Sequence, residues 1–555
     1  MKLKSTLGLL SLLFLASSGQ AQSLRWMKAG SYSTQAYGRS VSSLADVNGD
    51  GYRDILIGDP LAEPLGSLNG EVHLVSGQDG SPIYTITGAT TSSRIGEDVL
   101  GIQDVDGDGT EDFVITSDTE FPQVRSGIDG SFIRSLSIFS SAGDQVVESL
   151  GDIDGDGLRE LIVGHQDFGT NHGRVLVLRG SYVATGIGPS LLWTRDGIQS
   201  FGFFGDEVAN AGDVNGDGFD DVVAGGPAET GPSGECGIVY MLNGINGNVI
   251  HSLTVSTSCI GFGSELDSAG DWNQDGRADI VVGTRSDNTG GSSAGAMRIY
   301  SGLTGGLLLE VFGAASDRYG RAVLGGIDID GDGHDEVLVG AYTKPCATGR
   351  GTVHAFDPIT NAIQADVCGA SDANLFGGGL QAVGDVNGDG QQDFVVTDSE
   401  AEPSLEARVY LFDGDCAGYV ASFCDSTTHS GGSRATITGS GSTSIATNSM
   451  ALIARSCPAN KPGLFFYGRN QIMAPFGDGF RCAGGMSYRL YPIVQTDGMG
   501  IVARALDLTV FPLGSGSGQA VPGSIYNFQF WFRDPTGPGG TGFNLTDGVS
   551  IRFCP

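Results

Sequence analysis

Asp46-Val47-Asn48-Gly49-Asp50-Gly51-Tyr52-Arg53-Asp54, followed at once by Ile55-Leu56-Ile57, is the stretch on which the reading of this 555-residue chain turns. Oxygen-bearing side chains at positions 1, 3 and 5 converge when a loop curls around a hard cation. Glycine at position 6 allows the sharp turn, and position 7 offers its backbone carbonyl. A carboxylate at position 9 closes the shell. The phrase recurs seven times, starting at Asp46, Asp104, Asp152, Asp213, Asp271, Asp328 and Asp385, at steps of 48 to 61 residues. Repeats of this length signify a propeller, a solenoid or an array.

The expected ligands of the first loop are Asp46, Asn48, Asp50, the Tyr52 carbonyl and Asp54. Those of the second are Asp104, Asp106, Asp108, Thr110 and Asp112; of the third, Asp152, Asp154, Asp156, Leu158 and Glu160. The fourth offers Asp213, Asn215, Asp217, Phe219 and Asp221; the fifth, Asp271, Asn273, Asp275, Arg277 and Asp279. The sixth offers Asp328, Asp330, Asp332, His334 and Glu336; the seventh, Asp385, Asn387, Asp389, Gln391 and Asp393. An EF-hand begins in the same way but needs a bidentate Glu at position 12. Here position 12 is Ile57, Ile115, Val163, Ala224, Val282, Val339 or Val396, so that reading fails. Asp-Gly turns without metal are the plain alternative. Seven loops that each crowd three or four carboxylates would repel strongly without a cation. About seven structural Ca²⁺ ions are expected; Mg²⁺ prefers smaller, water-rich octahedral shells.

Each loop runs into a short apolar stretch such as Ile55-Leu56-Ile57 or Val337-Leu338-Val339, which reads as a strand buried on both faces. The loop therefore joins two strands. An apolar residue and a glycine precede it, as in Tyr37-Gly38, Ile95-Gly96, Phe204-Gly205, Phe262-Gly263, Tyr319-Gly320 and Phe376-Gly377. The third copy, Ala142-Gly143, lies one residue further ahead, which predicts a bulge. Two more strands follow, as in Gly70 to Val75 and Ile83 to Ile86, giving four per repeat, one propeller blade.

The order of Phe-Gly, calcium loop, apolar strand and then Gly58-Asp59-Pro60, Gly226-Pro227 or Gly340-Ala341 resembles the FG-GAP repeat of integrin alpha-chain propellers. Copies two and seven depart from the last element, with Thr116-Ser117-Asp118 and Thr397-Asp398-Ser399. The resemblance implies an all-β chain: a seven-bladed FG-GAP β-propeller, with calcium loops on one face and Phe-Gly turns on the other. Such repeats also occur in lectins and beside enzyme domains, so fold alone does not choose a function. Two strands compete to close the ring. Ser23-Leu24-Arg25-Trp26-Met27-Lys28 matches Ser190-Leu191-Leu192-Trp193-Thr194-Arg195, the end of the third blade, and is favoured over Tyr419 to Phe423.

Residues 1–21 read as a signal peptide, with a basic start, an apolar run from Leu7 to Ala16 and a small-residue cleavage site. No cysteine follows for a lipid anchor, and no later run reaches membrane-spanning length, so a secreted or cell-surface protein is expected. Residues 22–423 form the expected propeller, 424–443 a linker and 444–555 a small β-sandwich. Gly463 to Gly468, Phe476 to Cys482 and Asn527 to Pro535 resemble a C-terminal module recurrent in secreted bacterial proteins; its aromatics are read as core ahead of a sugar-stacking face.

The net charge of −34 argues against nucleic acid and anionic membranes as partners. Nine cysteines in a secreted chain suggest disulfides with one left over. Cys236 with Cys259 and Cys346 with Cys368 flank the third and fourth strands of two blades and are candidate bridges, with buried thiols as the alternative. The other five, Cys416, Cys424, Cys457, Cys482 and Cys554, have no assigned pairing. No zinc-protease or phosphate-loop motif exists, and Gly291-Ser292-Ser293-Ala294-Gly295 lies in a blade loop rather than at a strand-to-helix elbow. His73 and His354 share one third-strand position and read as structural. Arg39, Arg94, Arg318 and Arg321 flank the Phe-Gly turns; they are either solvated charge or contacts for an acidic sugar or protein ligand. The leading reading is a non-enzymatic, monomeric, calcium-binding protein for extracellular binding or adhesion, its partner a glycan or cell-surface protein. A propeller-scaffolded carbohydrate- or phospholipid-active enzyme and a purely structural matrix component are the alternatives.

Overall fold

The computed structural model describes residues 23–553 apart from 32–35, 138–142, 232–233, 235, 256–260, 330–332, 347–349, 360, 370–374, 389–390, 399–406, 415–419, 441–442, 444, 446–447, 449 and 522–523. The expected signal peptide lies outside the described residues. The chain divides into two compact units, the first running to Gly414 and the second following it.

The first unit is built from four-stranded antiparallel sheets in which consecutive strands pair. The first sheet holds Val41–Leu44, Asp54–Asp59, Glu71–Val75 and Pro82–Thr87. Six more sheets repeat this order, beginning at Val99, Gln145, Val208, Glu265, Tyr319 and Gly379. The first strand of each sheet touches the first strand of the next, and Gly379–Gly384 touches Val41–Leu44, so the sheets close into a propeller ring. Second strands are buried on both sides, as their unbroken apolar runs require: Ile55, Leu56, Ile57, Val337 and Val339 have no exposed surface. They fill the layers between sheets. One such layer joins Ile162, Val175 and Trp193 of the third sheet to Phe204, Val222 and Tyr240 of the fourth.

The N-terminal strand closes the ring. Ser23–Ala29 pairs antiparallel with Arg408–Asp413, with Met27 opposite Tyr410, and supplies the outer strand of the seventh sheet. Val420–Phe423 instead pairs with Gly548–Arg552 in the second unit. The expected bulge in the third sheet is not at its strands: Gln145–Ser149 pairs regularly with Leu161–His165, so the extra residue lies ahead of Gln145. Because strands alternate in direction, the calcium-type loops and the third-to-fourth-strand turns share one face of the ring. The Phe-Gly turns and second-to-third-strand connections occupy the other.

The second unit is a two-layer β structure. One sheet runs Val420–Phe423, Gly548–Arg552, Ile525–Asp534, Pro462–Gly468 and Tyr488–Gln495; the other runs Thr436–Ser440, Ala451–Arg455 and Val502–Ala505. Both contribute to one core that includes Ile437, Leu452, Phe465, Tyr467, Phe528, Phe530 and Phe532. Alternate residues of Ile525–Asp534 point into it, so most of the aromatics read from sequence are core. The expected linker, residues 424–443, is corrected: Thr436–Ser440 is a paired strand and Cys424 is bonded to Cys482, so this stretch belongs to the second unit. Its Ser/Thr/Gly composition hid a strand whose inward positions are only Ile437 and Gly439. Cys346–Cys368 is bridged as expected, and Cys457 is a buried free thiol. The Cys236–Cys259 pairing, Cys416 and Cys554 lie outside the described side chains.

Candidate metal centres

Each loop is wound by its own carboxylates. In the first, Asp46 accepts the amides of Gly49 (2.7 Å) and Gly51 (2.8 Å), and Asn48 Oδ1 accepts the Asp50 amide at 2.8 Å. Asp50 Oδ1 accepts the Tyr52 amide at 2.9 Å, and Asp54 Oδ2 accepts the Val47 amide at 2.8 Å. The second, third and fourth loops repeat the whole set around Asp104, Asp152 and Asp213. In the fifth, Asp271 binds the amides of Asp275 and Gly276, Asp275 binds that of Arg277, and Asp279 binds that of Asn273. In the sixth and seventh, Asp328 takes the Gly333 amide, Glu336 that of Ile329, Asp385 that of Gly388 and Asp393 that of Val386. Asp330, Asp332 and Asp389 lie outside the described residues. Position 7 needs only backbone, which is why Tyr52, Thr110, Leu158, Phe219, Arg277, His334 and Gln391 share no side-chain chemistry. Among the described residues position 6 stands at positive φ, 92° at Gly51 and 95° at Gly109, where a side chain is strained.

The ninth carboxylate opens or directly precedes the second strand and is buried in every loop: Asp54, Asp112, Glu160, Asp221, Asp279, Glu336 and Asp393. Burial pushes Asp54, Asp221 and Asp279 up to about 6 and Glu160 to about 7. A carboxylate removed from water favours its neutral form unless a cation sits against it. In the third loop, Asp152, Asp154, Asp156 and Glu160 each bring an oxygen within 4.8 Å of the others, as do Asp104, Asp106 and Asp108 in the second. An all-oxygen donor set of mixed carboxylate, amide and backbone groups fits a hard divalent cation. The Asp104 carboxylate is held below the usual range by the Gly107 and Gly109 amides, which keeps it an anionic donor.

The sequence pattern missed a supporting turn between the third and fourth strands. Ser76 Oγ donates to Asp50 at 2.6 Å, Ser126 Oγ to Asp108 at 3.3 Å and Asn243 Nδ2 to Asp217 at 2.8 Å. The next residue is glycine, and its amide binds the ninth carboxylate: Gly127 to Asp112 at 3.0 Å, Gly244 to Asp221, Gly302 to Asp279 at 2.9 Å and Gly414 to Asp393 at 2.8 Å. The signal was present in the repeated phrases Ser76-Gly77-Gln78-Asp79-Gly80, Ser126-Gly127-Ile128-Asp129-Gly130 and Asn243-Gly244-Ile245-Asn246-Gly247. In the third sheet Arg179 takes this place and pairs with Asp154.

On the opposite face most of the candidate arginines are committed. Arg94 pairs with Glu97 at 2.7 Å and with Asp118, Arg321 pairs with Glu265, and Arg39 lies 3.8 Å from Glu97. Arg318 instead donates to the Tyr342 hydroxyl. His73 and His354 pack against Tyr37 and Tyr319 at 5.5 and 5.6 Å between ring centres, in equivalent places of two sheets.

The FG-GAP repeat family matches residues 37–74, 204–240 and 319–356. Fold and repeat together define an FG-GAP repeat, integrin-alpha-like β-propeller protein. Integrin alpha-5 of Xenopus laevis is 30% identical over 229 residues, covering 37% of this chain and 21% of that protein. Integrin alpha-PS2 of Drosophila melanogaster is 31% identical over 218 residues, covering 35% of this chain and 15% of that protein. The chain thus matches about a fifth or less of the length of these relatives. Among solved structures, BBS1N in complex with ARL6DN aligns with 71% of this chain and 98% of that chain, at 11% identity and a TM-score of 0.45. No helix among the described residues is long and apolar enough to cross a membrane.

Proposed function

We propose that this is a secreted or cell-surface, calcium-stabilised protein that binds an extracellular glycan or cell-surface ligand without turning it over. Each of the seven loops holds one structural Ca²⁺, and the chain acts as a monomer. The observation that carries this reading is the division of labour between the two faces of the ring. One face repeats the same acidic loop, braced by the same turn. The other carries connections that differ in length and side chains from sheet to sheet, and rigid scaffolds with variable loops are common sites of recognition. The integrin-like relatives support extracellular binding over catalysis.

A glycan array probed with the full chain in calcium and in EDTA tests this. Calcium-dependent binding with every arrayed glycan left intact is expected. Degradation of a bound polysaccharide or phospholipid would identify an enzyme instead. Metal analysis finding one or two ions per chain would defeat the loop-by-loop assignment.

A further inference from the structure

The variable face holds one cavity whose charge runs against the rest of the chain. It measures about 500 Å³ and is lined by Ser293, Ser316 and Arg318, by Tyr342, Thr343 and Arg350 from the adjoining ends of the second and third strands of the sixth sheet, and by Leu375. Among the described residues it brings together two arginines and no carboxylate, in a chain with 64 acidic and 30 basic side chains. Arg318 spends one nitrogen on the Tyr342 hydroxyl and lies 5.6 Å from that ring's centre, which holds its guanidinium in place. Arg350 is exposed, and neither guanidinium is paired with an acid among the described residues.

The contrast with Arg94 is what gives the site meaning. Both arginines precede the apolar residue of a Phe-Gly-like turn, and both stand at φ 51°, a left-handed backbone that a side chain adopts at a cost. The turn points both side chains to the same face of the ring. Arg94 is neutralised by Glu97 and Asp118. Among the described residues Arg318 has no such partner: Arg321 stands where Glu97 does, and the Tyr342 hydroxyl takes a guanidinium nitrogen of Arg318.

We propose that this cavity binds a sugar residue carrying an anionic oxygen group, a carboxylate or a sulfate, of an extracellular polysaccharide. The proposal rests on the binding reading above and gives it a place and a chemistry. Arginine presents parallel donors matched to planar or tetrahedral oxyanions. Ser293, Ser316 and Thr343 line the same cavity, the Thr343 hydroxyl already donating to the Ser316 carbonyl, and such hydroxyl-bearing side chains suit the hydroxyls of a sugar ring better than an acidic peptide. The volume falls within the range of small-ligand sites.

Binding of the full, calcium-saturated chain to hyaluronan oligosaccharides, dextran sulfate, dextran and polyglutamate tests the proposal. Retention of hyaluronan identifies a carboxylate ligand and retention of dextran sulfate a sulfate ligand; dextran should bind far more weakly. Arg318→Gly removes the guanidinium while supplying the residue that the backbone favours, so the fold is kept. Arg350→Ala alters an exposed position. Each should weaken binding about 10-fold, the worth of one charge-assisted contact, and rising salt should weaken the unmodified chain. Arg94→Gly should leave binding unchanged. The site assignment is overturned if neither variant weakens binding, if dextran binds equally well, if polyglutamate is preferred, or if no probe binds. Binding that survives both variants, or that is confined to neutral glycans on the array, removes this site and leaves the broader binding reading standing.

Discussion

The indole Nε1 of Trp26 donates to the backbone carbonyl of Gly77 at 2.9 Å, linking the N-terminal strand to the third-to-fourth-strand turn of the first sheet. Trp193 makes the same bond to Gly244 at 2.6 Å, where the chain runs continuously from the third sheet into the fourth. Lys28 to Gly80 and Arg195 to Gly247 repeat the parallel two residues on. The closing strand therefore makes the junction between seventh and first sheets chemically equivalent to an internal one.

Trp26→Phe should cost about 1 kcal/mol, the net worth of the lost hydrogen bond. Trp26→Ala should cost ~3–5 kcal/mol, because a buried aromatic is also removed from the layer shared with Val75 and Val386. Urea unfolding in saturating calcium measures both. A Trp26→Ala protein as stable as its parent would mean that the N-terminal strand does not close the ring.

The bracing turn predicts an effect on metal affinity without loss of a ligand. Asn243→Ala removes the donor that holds Asp217 and should weaken one site about 10-fold, as supporting groups of metal ligands do. Asp217→Ala should abolish that site while leaving the others. Calorimetric titration distinguishes the two; an Asn243→Ala protein that titrates like its parent would show that the turn does not orient the ligand.

Gly244→Ala should be worse for folding than its small size suggests. A Cβ there would stand 2.0 Å from the Asp220 carbonyl oxygen, a backbone atom that cannot swing away. Gly218→Ala meets open space but stands at φ 90°. We expect the first to cost about 2–3 kcal/mol through overpacking and the second ~1–2 kcal/mol through backbone strain. Thermal melts in excess calcium measure the difference, and a reversed order would be inconsistent with the close approach.

Much of this architecture was legible because it repeats. Asp, Asn and Gly at fixed offsets, followed by an apolar triplet, identified loop and second strand together, and the Ser23 to Lys28 match to Ser190 to Arg195 identified the closing strand. The bracing turns were harder to see. Their spacing from the ninth ligand varies, 15 residues from Asp112 to Gly127 but 23 from Asp221 to Gly244, because the connection between second and third strands lies on the variable face. Which arginines on that face are paired was not legible at all. Arg94 and Arg318 sit in equivalent turns; what separates them is Glu97, where Arg321 stands in the other turn, and Asp118, 24 residues on from Arg94 in the connection between the second and third strands of the second sheet.

Asp59 gives a prediction of pH dependence that does not involve the loops. It ends the second strand of the first sheet, buried, with neither carboxylate oxygen hydrogen-bonded. Burial, with a smaller contribution from Glu71, pushes it up to about 7. Its carboxyl titrates near 3.9 in an unfolded chain. Between these values the folded protein holds the extra proton, so stability falls as pH rises through about 4 to 7. His73, lowered to about 4 mainly by burial, acts in the opposite sense, since its protonation in acid favours unfolding. Comparing Asp59→Asn with its parent at each pH cancels most of that term. Asparagine carries no charge to bury, so the variant should be more stable at pH 8 by ~1–3 kcal/mol, with the gap closing towards pH 4. Calcium must be saturating throughout, and chemical denaturation at pH 4.5, 6 and 8 reads the gap. A variant less stable than its parent at pH 8 would show that Asp59 is charged and paired in the folded protein.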